Sequence, residues 1–137
     1  MERFLHIKKI EYIEARYLAD IVVVKNNGVL LRKWRNWQVL PTLDLSSLTS
    51  STKVVDRETI FTLKLSCELC AGFSVAGRNL CYRLTTVDGH CFLMGTNERP
   101  FVITNVEDNY PSVITQKSVT KLTAEYSNIF GLLAILD

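Results

Sequence analysis

Between residues 59 and 70 the chain alternates without a break. Phe61, Leu63, Leu65, Cys67 and Leu69 are interleaved with Ile60, Thr62, Lys64 and Ser66. Successive side chains of a strand point to opposite faces, so a period of two predicts a strand with the first set on one buried face. Short runs rich in Val, Ile, Thr, Tyr and Phe recur along the rest of the chain, separated by turn signals. That is the pattern of a sandwich or barrel.

The clearest turn is Asp88-Gly89, between Leu80-Cys81-Tyr82-Arg83-Leu84-Thr85-Thr86-Val87 and His90-Cys91-Phe92-Leu93-Met94-Gly95. Asp-Gly between two β-rich runs predicts a two-residue type I′ hairpin. Val87 would then face His90, and Leu84 would face Leu93. Leu80, Tyr82, Leu84, Cys91 and Leu93 would share the core face, opposite Arg83, Thr85, His90, Phe92 and Met94. The expected core is Phe61, Leu63, Leu65, Cys67, Leu80, Tyr82, Leu84, Cys91 and Leu93.

Asn26-Asn27-Gly28 predicts a further turn between two apolar runs, and residues 119–126 and 132–136 read as late strands. Residues 43–53, rich in Ser and Thr after Pro41, and residues 105–111 read as polar loops. Residues 9–21 carry both helical and strand spacings and read as an early strand followed by irregular chain or a short helix. The expected fold is mainly β: a single-domain antiparallel β-sandwich or barrel over residues 1–137, with room for one short helix. That length suits one domain, and no internal repeat is visible.

Composition narrows the function classes. With 47% hydrophobic and 22% charged residues, the chain is too apolar to be disordered. A formal charge of +2 is too small to point to nucleic acid or an anionic membrane. The start, Met1-Glu2-Arg3-Phe4-Leu5-His6-Ile7-Lys8-Lys9, is broken by charges before an apolar signal region forms, and no apolar run approaches the roughly 20 residues of a membrane helix. Synthesis in the cytoplasm is the expectation.

Four cysteines raise the question of zinc. Cys67 and Cys70 have C-x-x-C spacing, with Cys81, His90 and Cys91 beyond them. Zinc needs four converging ligands. Strand pleating separates Cys67 from Cys70 and Cys81 from Cys91, which favours buried free thiols over a metal site or a redox dithiol. His90 reads as an exposed turn histidine without an adjacent nucleophile. Glu11, Glu14, Glu107 and Asp108 read as solvated surface, and the glycines form no phosphate-cradling loop. No catalytic residue, metal ligand or cofactor is expected.

Leu30-Leu31-Arg32-Lys33-Trp34-Arg35-Asn36-Trp37 holds both tryptophans among three basic residues. Arg32, Lys33, Trp34, Arg35 and Trp37 are the candidate interface residues, since Trp and Arg dominate protein interfaces. Stacking on single-stranded nucleic acid needs the same residue types but is disfavoured by the small net charge. A tryptophan filling the core, edged by arginines, is the third reading.

A strand closing on Leu93-Met94-Gly95-Thr96-Asn97-Glu98-Arg99-Pro100-Phe101, then a loop, a strand at residues 118–126 and a short Gly131-Leu132-Leu133-Ala134-Ile135-Leu136 resemble small proteins encoded in the structural gene clusters of phages and prophages of gut Bacteroidetes. The opening Ile7-Lys8-Lys9-Ile10-Glu11-Tyr12-Ile13 is similar in flavour. The resemblance spans about half of the chain and is a pattern of strands and turns. It implies a non-catalytic virion component of the neck or tail, assembled with itself into a ring or tube and with other virion proteins. Residues 118–126, with only Lys121 and Glu125 and no proline to blunt them, read as an edge left open for a neighbour. The alternative is a small cytoplasmic β-domain that binds a protein, a peptide or nucleic acid.

Overall fold

The computed structural model describes residues 3–18, 21–24, 28–31, 36–43, 46–69, 73, 77–97, 99–109, 119–128 and 131–136. In chain order the strands are β1 (Arg3–Glu14), β2 (Val22–Val24), β3 (Gly28–Leu30), β4 (Gln38–Val39), β5 (Ser46–Val55), β6 (Glu58–Leu69), β7 (Leu80–Thr86), β8 (Cys91–Met94), β9 (Ile103–Asn109), β10 (Val119–Asn128) and β11 (Leu133–Ile135). One 3₁₀ turn, Ala15–Leu18, follows β1. The fold is mainly β, as the alternating runs predict.

All eleven strands belong to one sheet, in the spatial order β2-β3-β11-β8-β7-β1-β5-β6-β10-β9, with β4 placed on β1. Among the named strands only β3 and β11 run parallel. The sheet is curled. In a flat sheet β7 and β9 would lie five steps apart, or roughly 24 Å at about 4.8 Å per step. Yet the Tyr82 hydroxyl lies 2.6 Å from the Thr104 hydroxyl.

The larger core fills the concave side of this curl. It joins Ile7 and Ile10 of β1, Leu48 of β5, Leu63, Leu65, Cys67 and Leu69 of β6, Leu80, Tyr82 and Leu84 of β7, and Leu122, Ala124 and Tyr126 of β10. A second core lies on the other face of the β7–β8 half: Ile13, Ala15, Leu18, Val29, Leu31, Cys81, Leu93 and Leu133. Gly95 (φ +102) lets the chain leave β8 through a narrow gap, where an added Cβ would come within 2.8 Å of Val102 and 3.0 Å of Cys81.

Strand β1 supplies both cores through a bulge. Its register on β7 passes from Ile7↔Thr86 to Lys9↔Thr85, so Lys8 is an extra residue. The bulge resets the alternation. Ile7 and Ile10 therefore both enter the first core, while Ile13 enters the second.

Four expectations are corrected. First, the hairpin turns at Asp88-Gly89, but its loop has three residues. Thr86 N–H donates to the His90 carbonyl at 2.9 Å, and Gly89 takes φ +90. The pairs are Leu84↔Phe92 and Arg83↔Leu93, one residue from the expected register. Leu84 and Leu93 are both fully buried, but in different cores, because this hairpin is covered on both faces. Cys91 consequently lies beside Thr85 and is only half-buried. Phe61 is also half-buried, against Gly131, where β6 leaves the body of the sheet.

Second, residues 46–53, read as loop, belong to β5, which runs between β1 and β6. Its backbone is paired by β1 and β6, and its Ser and Thr side chains lack the apolar alternation that would have revealed it. Third, residues 105–109, also read as loop, belong to β9. Fourth, β10 is not an edge, since β6 and β9 flank it on either side. The turn at Asn26-Asn27 lies outside the described residues, although β2 and β3 on either side of it pair antiparallel. No helix among the described residues is long and apolar enough to cross a membrane.

The Tyr82–Thr104 hydrogen bond ties the two halves of the curled sheet together. Tyr82→Phe is expected to lower unfolding free energy by about 1 kcal/mol, against about 3 kcal/mol for Leu84→Ala, which opens a cavity in the same core. Urea titration of the two variants checks the ratio.

Candidate functional site

Backbone pairing sets Glu11 of β1 directly opposite Arg83 of β7. Arg83 Nε donates to Glu11 Oε1 at 2.9 Å, and Arg83 Nη2 donates to Glu11 Oε2. Glu11 is buried (7% exposed), and Lys9 Nζ approaches its Oε1 at 3.8 Å. Strand β4 pairs with the same stretch of β1, at Glu11↔Val39 and Tyr12↔Gln38. That pairing brings in Trp37, the residue preceding β4. The Arg83 guanidinium lies over the Trp37 ring, 4.9 Å from its centroid. Trp37 is half-buried and packs against the second core.

Glu11 is thus buried and paired, not the solvated surface that its sequence neighbourhood suggests. The one legible signal of this cluster is Arg83, the only charged residue of β7. Its partner is 72 residues away, beyond any local pattern. Chemically the cluster is a clamp: both carboxylate oxygens of Glu11 accept from one planar guanidinium, the strongest geometry for such a pair.

Of the five candidate interface residues, the structure describes only Trp37. Arg32, Lys33, Trp34 and Arg35 lie outside the described residues. Arg83 on one side of the Trp37 ring and the second core beside it restrict the stacking surface that a nucleobase would need.

The thiols are dispersed. Cys67 belongs to the first core and Cys81 to the second, where its Sγ donates to the Thr96 carbonyl at 3.5 Å. Cys91 Sγ lies 3.6 Å from Thr85 Oγ1. Cys70 lies outside the described residues. Among the described residues no three His, Cys, Asp or Glu side chains converge as a metal site. His90 is exposed at the hairpin end. Burial pushes the Cys67 thiol up to about 11 and the Cys81 thiol up to about 12. Burial likewise pushes the Tyr82 phenol up to about 12.

The other feature of functional interest is the β9 edge. Ile103 (65% exposed), Asn105 and Glu107 point outward, while Thr104 and Val106 turn toward the core. One side of β9 pairs with β10, and on its other side no strand pairs with it among the described residues. The outer face carries alternating charge: Lys121 lies between Glu68 and Glu107, and Glu125 sits beside Lys64. No proline interrupts β9.

No protein-family model, curated protein or solved structure matches this chain.

Two predictions follow from these side chains. Glu11→Ala leaves the half-buried Arg83, and Arg83→Ala the buried Glu11, without its main partner, and each is expected to cost about 3 kcal/mol. A double-mutant cycle is expected to give a coupling of about 1–3 kcal/mol between them, and additive losses would show that the two residues act independently. Separately, folded-state thiol and phenol pKa values lie above the ordinary 9.0 and 10.0. The protonated forms are therefore the ones the fold favours. Unfolding free energy is expected to stay level to about pH 9, then to fall as pH rises through 11–12, by up to about 1.4 kcal/mol per pH unit for each group. Denaturant melts across that range, with Cys67→Ala and Cys81→Ala for comparison, test it.

Proposed function

We propose that this protein is a non-catalytic structural or assembly subunit of a virion, at the neck or in the tail, that works as a homo-oligomer and associates through the edges of its sheet. The observation that carries the reading is the side of β9 with which no strand pairs among the described residues. A strand edge presents a row of unpaired N–H and C=O groups, and monomeric proteins blunt it with proline, lysine, bulges or a covering element. Strand β9 has no proline, it pairs with β10 without a register shift, and its only charged residues are Glu107 and Asp108. The strand-and-turn pattern shared with small phage structural proteins supports the same reading. The segment bearing Arg32, Lys33, Trp34, Arg35 and Trp37 is a second candidate contact in this assembly.

Subunits joined by unlike patches form rings when the rotation closes and tubes when it does not, so edge-to-neighbour pairing suits either. The partners are further copies of the chain and the virion proteins that they meet.

Lysines placed along the edge test this directly. Ile103 and Asn105 are exposed, so the double variant Ile103→Lys/Asn105→Lys is expected to melt within about 0.5 kcal/mol of the parent. Its self-association is expected to weaken by about tenfold or more, measured by sedimentation over a concentration series. Unchanged association would remove the β9 edge from the interface.

A further inference from the structure

Strands β5 and β6 pair along their length, from Ser47↔Ser66 to Val55↔Glu58. Among the described residues, their flanking strands pair with only part of that length. The last pair of β1 on β5 is Arg3↔Ser50, and the last pair of β10 on β6 is Asn128↔Phe61. Among the described residues, 53–60 therefore pair only with one another, as a two-stranded ribbon at the end of the sheet, and residues 51–59 are all exposed. At the tip Asp56 (φ +49) and Arg57 (φ +69) both take left-handed values, those of a type I′ turn. Three residues per strand give a projection of about 10 Å.

This ribbon gains little from the body of its own chain. Val54 is 70% exposed, the most exposed of the large apolar side chains described, and Val55 is also exposed. A two-stranded ribbon with no buried face is marginal in water. Two apolar side chains at such a tip, one on each face, are surface that a partner would cover.

We propose that residues 53–55 of one copy of the chain add antiparallel to β9 of a second copy, with Val54 opposite Thr104, Val55 opposite Ile103 and Lys53 opposite Asn105. The proposal rests on the reading of β9 as an assembly edge and names what pairs with it.

Backbone polarity favours this register. A two-residue turn makes Val55 and Glu58 a hydrogen-bonded pair, so the backbone groups of Val55 face β6 and those of Val54 face away. Alternation carried through the regular registers of β6 on β10 and β10 on β9 leaves the backbone groups of Ile103, Asn105 and Glu107 facing β10, and those of Thr104 and Val106 facing away from it. Val54 and Thr104 are therefore both outward-facing and can exchange hydrogen bonds. The flanking pairs then fall in non-hydrogen-bonded positions.

Side chains agree with the backbone. Val55 meets Ile103, two exposed apolar groups, and Lys53 lies diagonal to Glu107, within reach of a favourable charge pair. A slip of one residue would mismatch the backbone groups and set every side chain on the wrong face. Three residue pairs are as many as join β2 to β3 within the fold, and more than join β11 to β8. The two patches are unlike, so the contact is head-to-tail.

Mixed disulfide trapping tests the contact. Non-hydrogen-bonded antiparallel pairs bring Cα atoms to about 4.5 Å, within the range of a disulfide. Val55→Cys and Ile103→Cys are made in separate chains and oxidised alone and mixed, with the parent protein as the control for the native thiols. A cross-linked dimer joined at Cys-bearing positions 55 and 103, identified by peptide mapping and formed only in the mixture, is the expected result. Val54→Asp, at an exposed position, is expected to leave the melt unchanged and to weaken sedimentation-measured association about tenfold. If the β9 lysine variant weakens association while Val54→Asp does not, and no mixed cross-link forms, the ribbon is not the partner although the edge is. If the parent protein shows neither association nor cross-link at any concentration, both readings fall.

Discussion

The extra residue at Lys8 governs how this sheet is filled. Strand β1 bonds to β7 on one side and to β5 and β4 on the other. A regular strand would send Ile7 and Ile13 to one face and Ile10 to the other. With the bulge, Ile7 and Ile10 share the larger core and Ile13 reaches the smaller one. A bulge also sharpens local twist, and it falls where a long sheet must begin to curl. The contact between Tyr82 and Thr104 is possible only because that curl occurs.

Strand β7 pays most for this arrangement, since it is covered on both faces. Leu80, Tyr82 and Leu84 enter one core, and Cys81 enters the other. A strand covered on both faces has little room for a charge, and Arg83 is tolerated by position and pairing. It sits at the margin of the second core, 29% of its side chain is exposed, and its guanidinium has a carboxylate in front and an indole ring over it. Replacing such a pair with apolar groups is often neutral in energy, whereas deleting one partner is not. The clamp is therefore a specifying contact. It matches one residue of β1 to one of β7 just past the bulge, where a slip would be easiest.

How much of this was legible follows from how many faces each strand buries. Strand β6 buries one face for most of its length, and its alternation in the sequence is unambiguous. Strands β5 and β9 are polar for different reasons: among the described residues, β5 is flanked by neighbours for only part of its length, and β9 is bonded on one side. Neither needs apolar alternation, so Ser, Thr, Asn and Asp in them imitate loops. In β1 the bulge brings Ile7 and Ile10, three residues apart, to one face, a spacing that imitates the helical period. The β7–β8 register failed on a single residue: Asp88-Gly89 signals a hairpin, but Thr86 rather than Val87 closes it, through bonds to His90. The Glu11–Arg83 clamp was illegible because cross-strand partners depend on register, and register here depends on a bulge.

The central position of β1 also orders events in time. Hairpins β5–β6 and β7–β8 close over short loops, whereas β1 has to capture β7 across the intervening chain, 72 residues for the Glu11–Arg83 pair. Closure over such distances loses chain entropy before any contact compensates it, and topologies dominated by such pairings fold on the order of milliseconds to seconds. The second core also waits for Leu133 of β11, which joins the sheet beside β8. On a ribosome, β1 can pair with β5 long before β7 or β11 has been made. For that interval its other side stays exposed to whatever strand is nearest, and a crowded polysome making many copies would be where mispairing is most costly.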